Sequence, residues 1–312
     1  MERRSAGSVF GRRRNAIVFT MLQSIFINVL VAVTLLLSQT AQAQGPLVVR
    51  HNFFEHQSSD QLSYRGQLLE LLLEKSKSQY GPYRMERGSA IGYSQNRAFS
   101  QLELGNLDII ASMTNEDREN QAIALRYCLY KGLLGVRLGM GTLDVVEKLN
   151  RISSREELNH VALGQVFDWP DYAIQKDAGL KVLSLPDLTS GTNRLKLGTF
   201  QLFPLGIVEV GPIAKANNLA VISTWAIAYP TAYYFFVSKT KPDLAQRLVT
   251  GFERALKDGS FDQLFNKRVG PMVAAAGLEK RTIYYLPNRY LPKATPIGRK
   301  ELWHPLVQSK LQ

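Results

Sequence analysis

The sequence predicts an α/β fold of two lobes, and three observations support this prediction. Short apolar runs typical of strands alternate with helical patterns along the chain after residue 43. Two of these runs, Lys131–Leu138 and Tyr233–Ser238, are apolar, strand-like and far apart in sequence. Neither a low-complexity linker nor an internal repeat divides the 312 residues. We therefore expect each lobe to be a mainly parallel sheet flanked by helices, with the two runs as crossing strands.

The first strands and helices follow from apolar spacing. Gly45–His51 is a short β-type run, and Gln61–Ser76 is a helix whose four leucines share one face, with Ser58, Ser59 or Asp60 as its cap. A second helix, about Gln95–Leu104, stops at a glycine, and the following LDIIAS predicts a buried strand. Thr114–Glu119 is polar and predicts a loop.

The later elements continue the alternation. HVALG, GLKVLSL, LAVIS and YYFFVSK predict strands, and Asp171–Asp177 predicts a helix between the first two. Pro242 opens a clear amphipathic helix, which Asp258-Gly259-Ser260 ends before a further helix begins. From this order we expect a first lobe of 44–134 with 238–312, and a second lobe of 135–237.

The first 43 residues have the composition of an export signal. Five arginines precede an uncharged apolar run from Ala16 to about Leu37, and Ala41 and Ala43 then stand in A-x-A spacing. This pattern predicts a signal peptide cleaved after Ala43 and a periplasmic protein. The alternative is a retained membrane anchor, because the run of about 22 residues is long enough to span a bilayer.

Charge and cysteine content exclude several kinds of site. The predicted leader holds five Arg and one Glu, so the rest of the chain carries +8 of the total +12. Without a basic stripe interleaved with aromatic residues, nucleic acid is not an expected partner. Cys128 is the single cysteine, so we expect no intrachain disulfide, and its apolar surroundings predict a buried side chain. The four histidines lack metal-ligand spacing, so neither metal nor cofactor is expected.

Four stretches of the chain resemble one protein family in their order and spacing. They are LELGNLDIIASMTNEDR, KGLLGVRL, ELNHVALGQVFDWPDYAIQKDAGLKVL and YYFFVSKTKPDLAQRLVTGFERALKDGSFDQLF. Together they resemble the type II periplasmic solute-binding proteins of the amino-acid branch, which serve ABC transporters. The resemblance covers nearly all of the chain after the leader.

This resemblance implies a function, a small solute as ligand and a membrane protein as partner. It implies a monomeric, non-catalytic protein that captures a small polar solute, an amino acid or related carboxylate, between its lobes for an ABC-type membrane permease. A sensory or accessory protein of the same fold, signalling to a membrane partner, is the first alternative. A periplasmic enzyme of the cyclohexadienyl dehydratase type is the second.

The resemblance also implies a ligand site in the first lobe. Arg118 matches the family's carboxylate-binding arginine, and a guanidinium holds a carboxylate through two parallel hydrogen bonds. The alternative is that Arg118 caps its loop or pairs with Glu116 or Asp117. Ser112, Thr114 and Asn115 are candidate donors, although loop hydroxyls often bond the local backbone.

Residues after a predicted strand of the second lobe complete this expected site. Gln165 could donate an amide hydrogen bond, Trp169 could stack on the solute, and Asp171 could receive an ammonium group. Alternatively, Trp169 packs and Asp171 stabilises a helix N-terminus. The segment LKLGTFQLFPLGIVEV departs from the family, because Gln201 occupies its first acidic position. Glu209 is the nearest acid.

Overall fold

The computed structural model of the protein describes residues 45–55, 60–88 and 94–308. In those ranges no helix combines the length and apolar character needed to cross a membrane. The predicted leader, residues 1–43, lies outside the described residues.

In the described residues up to 125, the first part of the chain alternates four strands with three helices. They are β1 (Leu47–His51), α1 (Tyr64–Tyr80), β2 (Tyr83–Arg87), α2 (Gln95–Glu103), β3 (Ile109–Met113), α3 (Glu116–Gln121) and β4 (Ile123–Leu125).

The central part contains seven strands and five helices, preceded by a 3-10 turn at Leu133–Gly135. They are β5 (Val136–Gly141), α4 (Leu143–Leu149), α5 (Arg155–Asn159), β6 (Ala162–Val166), α6 (Pro170–Asp177), β7 (Lys181–Leu185), α7 (Leu188–Lys196), β8 (Phe203–Gly206), α8 (Val210–Asn217), β9 (Ala220–Val221), β10 (Trp225–Ala228) and β11 (Tyr233–Val237).

The last part is mainly helical. It consists of α9 (Pro242–Lys257), α10 (Ser260–Arg268), α11 (Gly270–Ala276), β12 (Thr282–Tyr285) and α12 (Pro305–Gln308), with 3-10 turns at Leu278–Lys280 and Lys300–Leu302.

Side-chain caps explain where the first helices begin. Helix α1 starts later than predicted because Ser63 is its cap, and the Ser63 Oγ accepts a hydrogen bond from the Gly66 N–H. The predicted loop Thr114–Glu119 instead contains helix α3, because Asn115 caps it by accepting from the Arg118 N–H at 2.9 Å. The loop prediction was therefore wrong at residues 116–119.

The sheets combine parallel and antiparallel pairs. Strand β11 lies between β3 and β4 and is antiparallel to both. Strand β5 lies between β10 and β8, again antiparallel to both. The parallel pairs are β1 with β2, β6 with β7, and β10 with β12. The fold is α/β as predicted, but in these described strands β5 and β11 run against their neighbours.

The two predicted crossing runs have distinct roles. Lys131 and Gly132 have positive φ angles of 49° and 79°, so the run Lys131–Leu138 opens as a turn and becomes strand β5 only at Val136. Tyr233–Val237 is a buried strand of the sheet formed with β3 and β4. Strand β12, which the expected boundaries assign to the first lobe, pairs with β10 of the 135–237 segment.

Helix α9 packs against α1 and closes the core of the first part of the chain. Gly251 lies so close to α1 that a Cβ atom there would sit 2.3 Å from the Leu72 carbonyl oxygen. The buried Arg247 of the same helix donates to the Gly81 carbonyl oxygen at 2.8 Å, just past the end of α1. Cys128 is fully buried in this core, as predicted, and burial raises the pKa of its thiol to about 11.

Candidate functional site

A cleft with a volume of about 550 Å³ lies between two groups of side chains that are distant along the chain. The first wall is formed by residues of the 52–112 segment together with Tyr233, and it includes Arg65, Gln95 and Ser112. The second wall comes from residues 166–209, and it includes Asp168 and Trp169. Such a cleft between sheet ends is the usual position of a ligand in α/β folds.

Arg118 lies behind the first wall, and its guanidinium is already hydrogen-bonded. Its Nη1 donates to Gln95 Oε1 at 2.7 Å, to Ser112 Oγ at 2.8 Å and to the Met113 carbonyl oxygen at 2.9 Å. Its Nη2 donates to the Asp168 carbonyl oxygen at 2.6 Å. The side chain is 3% exposed, and burial lowers the pKa of Arg118 to about 10 although Asp168 and Asp171 oppose this shift.

Asp168 connects the second wall to the first. In addition to its carbonyl bond with Arg118, its Oδ2 accepts from the Asn96 N–H in the first turn of α2 at 3.1 Å. This places a carboxylate at the positive end of a helix. Its Oδ1 is buried and accepts no hydrogen bond in the described part of the chain.

Two of the other residues predicted in the first wall bond to their own loop. The Thr114 hydroxyl donates to Glu119 Oε1 at 2.7 Å, and Asn115 caps helix α3. Ser112 lines the cleft, where its hydroxyl donates to Gln95 Oε1 at 2.9 Å. The structure therefore joins Ser112, Arg118 and Gln95 in one hydrogen-bonded cluster, while Thr114 and Asn115 support the segment that carries Arg118.

The residues predicted in the second wall also divide into lining and supporting side chains. Trp169 lines the cleft and is half-buried. Gln165 is fully buried, and its amide donates to the Pro204 carbonyl oxygen at 3.2 Å while accepting from the Val166 N–H. Gln165 thereby joins the end of strand β6 to strand β8.

Asp171 belongs to a buried ion pair beneath the second wall. Its Oδ1 lies 2.5 Å from Arg137 Nη2 and accepts a hydrogen bond from the Tyr229 hydroxyl. Gln175 Nε2 donates to the same hydroxyl at 3.3 Å, and burial raises the pKa of Tyr229. Asp171 thus neutralises Arg137 on strand β5.

Two charged residues that the sequence reasoning did not select as site residues line the cleft, one on each wall. Arg65, in the first turn of α1, lies on the first wall, and Glu209 lies on the second. Arg65 Nη1 donates to the Tyr233 hydroxyl at 3.2 Å. Burial lowers the pKa of Arg65, but Tyr233, Tyr130 and Glu209 reverse this effect and raise the pKa overall.

Glu209 is half-buried and incompletely paired. Its Oε2 accepts from the Gly206 N–H at 3.3 Å and lies 3.7 Å from Arg137 Nη1. Burial raises the pKa of Glu209, with Asp171 acting in the same direction and Arg137 against it. The available sequence signal was its position three residues after a strand end, where α/β folds present ligand-binding groups.

No protein-family model matches the chain, and no curated protein matches it either. Solved structures do match. An ancestral arginine-binding protein bound to arginine has a TM-score of 0.53 and 17% identity, and the match covers 72% of this chain and 98% of that one. A Salmonella typhimurium periplasmic binding protein of high arginine specificity has a TM-score of 0.53 and 10% identity, over 71% of this chain and 98% of that one.

A third matched structure is described in relation to an enzyme. The ancestral amino-acid-binding protein described as a precursor of cyclohexadienyl dehydratase has a TM-score of 0.51 and 14% identity, over 72% of this chain and 95% of that one. At these identities the likeness establishes the fold, and it confirms the resemblance that the four sequence stretches indicated. The chain has the two-lobed fold of the type II periplasmic amino-acid-binding proteins.

Proposed function

We propose that the protein is a periplasmic solute-binding protein that captures an amino acid or related carboxylate in the cleft. The observation that carries this proposal is that one cleft is lined by a cation, Arg65, on the first wall and an acid, Glu209, on the second. A zwitterion taken from water needs a partner for each of its charges, because a buried charge without one is costly. Arg65 would take the carboxylate and Glu209 the ammonium group.

The two walls would correspond to the two predicted lobes, 44–134 with 238–312 and 135–237, except that Tyr233 of the first wall falls within the range of the second lobe. Strands β5 and β11 lie next to the connections between these segments, so bending there would open and close the cleft. Closure would let both walls remove water from the solute together, so affinity would depend on the closed state. Arg118, Ser112 and Gln95 on one side, and Trp169 and Gln165 on the other, would hold the walls in shape.

The predicted leader supports a periplasmic location, and the matched structures support an amino acid as the ligand. Two of the matched structures are described as arginine-binding or arginine-specific, and a third as amino-acid-binding. A leader cleaved after Ala43 would deliver this protein to the periplasm. There a membrane permease of the ABC type would recognise the closed monomer. Sensing through a membrane partner is the alternative role.

A thermal-shift screen of the purified full-chain protein tests the proposal. The panel contains amino acids, organic acids, small peptides and polyamines. A solute present at a hundred times its Kd stabilises the native state by about 2.7 kcal/mol, which for a chain of this size raises Tm by about 5 °C. We expect at least one amino acid to do so, and Arg65→Gln to abolish the shift.

Two outcomes would contradict the proposal. If no member of the panel raises Tm, the cleft does not hold small polar solutes. If the protein instead converts prephenate to a new product, it is an enzyme of the dehydratase type. Chromatographic analysis of prephenate incubated with the protein distinguishes this outcome from simple binding.

A further inference from the structure

We propose that the cleft selects a solute of net positive charge, an amino acid with a cationic side chain. This inference rests on the proposed function and specifies its ligand class. Among the described residues that line the cleft, the three carboxylates of Asp168, Asp187 and Glu209 outnumber the single cation, Arg65.

The three carboxylates belong to one edge of the second wall. Asp168 follows strand β6, Asp187 follows β7 and Glu209 follows β8. Strands β6 and β7 are parallel, and a parallel bridge joins Leu163 to Leu202 just before β8. Carboxyl ends of strands that run in the same direction meet at one edge, so the three acids gather there.

Asp168 supplies the evidence that this edge receives a cation. Its side chain is 7% exposed, it lines the cleft, and its Oδ1 accepts no hydrogen bond from the described residues. A buried carboxylate oxygen requires a donor, and the cleft that Asp168 lines is where a solute would bring one. An ammonium or guanidinium group on the solute would supply that donor with a charge-assisted bond.

Arg118 does not reduce this excess of negative charge in the cleft lining. It does not line the cleft, and its Nη1 and Nη2 both donate to protein acceptors. The solute carboxylate therefore falls to Arg65, which is half-buried in the first wall and has no ion-pair partner among the described residues. In this arrangement Arg118 positions Asp168, and Arg65 binds the solute.

Aromatic side chains in the cleft lining would contact the alkyl part of a long cationic side chain. Phe53, Trp169 and Tyr233 are among the residues that line the cleft. Rings of this kind pack against an alkyl stem and attract a cation placed over their faces. A side chain that carries its charge three or four carbons from Cα would contact both the rings and the acidic edge.

Isothermal titration calorimetry with matched solutes tests the proposal. L-Arginine and L-lysine are compared with L-citrulline and L-glutamine, which lack the side-chain charge, with L-glutamate, and with agmatine, which lacks the carboxylate. Breaking one partner of a desolvated charge pair weakens binding about 30-fold or more. We expect arginine or lysine to bind at least that much more tightly than citrulline, glutamine, glutamate and agmatine.

Variants assign the two ends of the solute. Asp168→Asn should reduce the preference for arginine over citrulline, and Arg65→Gln should weaken arginine binding while leaving agmatine binding nearly unchanged. Glu103→Gln removes one exposed carboxylate at the end of α2, outside the cleft, and should change none of these ratios. Circular dichroism and Tm verify that each variant is folded.

The outcomes separate this inference from the proposed function. If citrulline, glutamine or glutamate binds as tightly as arginine and lysine, the charge selectivity is refuted but solute binding stands. If agmatine binds as tightly as arginine, Arg65 is not a carboxylate anchor. If none of the six compounds binds and no other small solute does, both proposals fail.

Discussion

Arg118 Nη2 donates a 2.6 Å hydrogen bond to the backbone carbonyl oxygen of Asp168, fifty residues further along the chain. The same guanidinium binds Gln95, Ser112 and Met113 on its own side, so one buried side chain joins the two walls of the cleft. The family resemblance implies that Arg118 binds a ligand carboxylate. In this structure the Arg118 side chain instead forms hydrogen bonds with both walls and joins them.

Replacing Arg118 tests whether its side chain joins the two walls. Arg118→Ala leaves several buried acceptors without a donor, so we expect the free energy of unfolding to fall by about 3 kcal/mol. Urea denaturation measures the loss. Arg126→Ala is the matched control, because Arg126 is exposed and its pair with Glu119 should contribute less than about 1 kcal/mol. Equal losses of unfolding free energy in the two variants would show that Arg118 does not join the walls.

The buried pair of Arg137 and Asp171 gives a second prediction. Removing one partner leaves an uncompensated buried charge, so Asp171→Leu or Arg137→Met alone should cost about 3–5 kcal/mol of unfolding free energy. The double variant removes both charges and should recover most of that loss. Chemical denaturation of the four proteins measures the coupling. Additive losses would mean that the two side chains do not depend on each other.

The contact between α9 and α1 gives a third prediction. Gly251→Ala would place a Cβ atom 2.3 Å from the Leu72 carbonyl oxygen, so the helices must separate. We expect a destabilisation of about 1–3 kcal/mol, typical of overpacking. Gly211→Ala in α8 is the control, because its Cβ would meet nothing within 4 Å, and a helical alanine should be neutral or stabilising by up to about 1 kcal/mol. A Gly251→Ala variant as stable as wild type contradicts this packing.

The buried His51 predicts a pH dependence of stability. Burial, reinforced by Arg87, lowers the pKa of His51 to about 4 from 6.5. Between these two values the unfolded chain binds more protons than the folded one, so the free energy of unfolding decreases as pH falls from 6.5 to 4. The His51 share of this decrease is up to about 3 kcal/mol.

Paired variants isolate the His51 contribution. His51→Asn retains an acceptor for the Phe53 N–H but has no titration in this range, so its stability should vary less with pH than that of wild type. His160→Asn, at an exposed position, should follow the wild-type pH curve. Denaturation at several pH values provides the curves, and parallel curves for wild type and His51→Asn would refute the assignment.

Local sequence signals sufficed for much of the fold. Pro242 and Gly259 mark the start of α9 and the break after it, and the structure places both where the sequence predicted. The cap of α3 was missed because Asn115 capping shows only when the following residues are known to be helical. The pairing of β12 with β10 involves residues nearly sixty positions apart, which no local pattern encodes.

The candidate site was harder to predict because charge partners come from distant segments. Nothing in the residues near Asp171 shows that Arg137 and Tyr229 surround it. Arg65 was overlooked because an arginine in the first turn of a helix resembles an ordinary surface residue. Its position opposite Glu209 depends on how the walls meet, and that follows from the tertiary fold.

Closure of the two walls around a solute is the central claim, and a distance measurement tests it most directly. Spin labels at Leu104→Cys and Leu197→Cys would report it, since these side chains are 70% and 82% exposed and follow helices α2 and α7, one from each wall. Cys128 is fully buried and should not react. We predict that a bound amino acid shortens and narrows the distance distribution, and that Arg118→Ala without solute broadens it. A distribution unchanged by a solute that calorimetry shows to be bound would contradict the account.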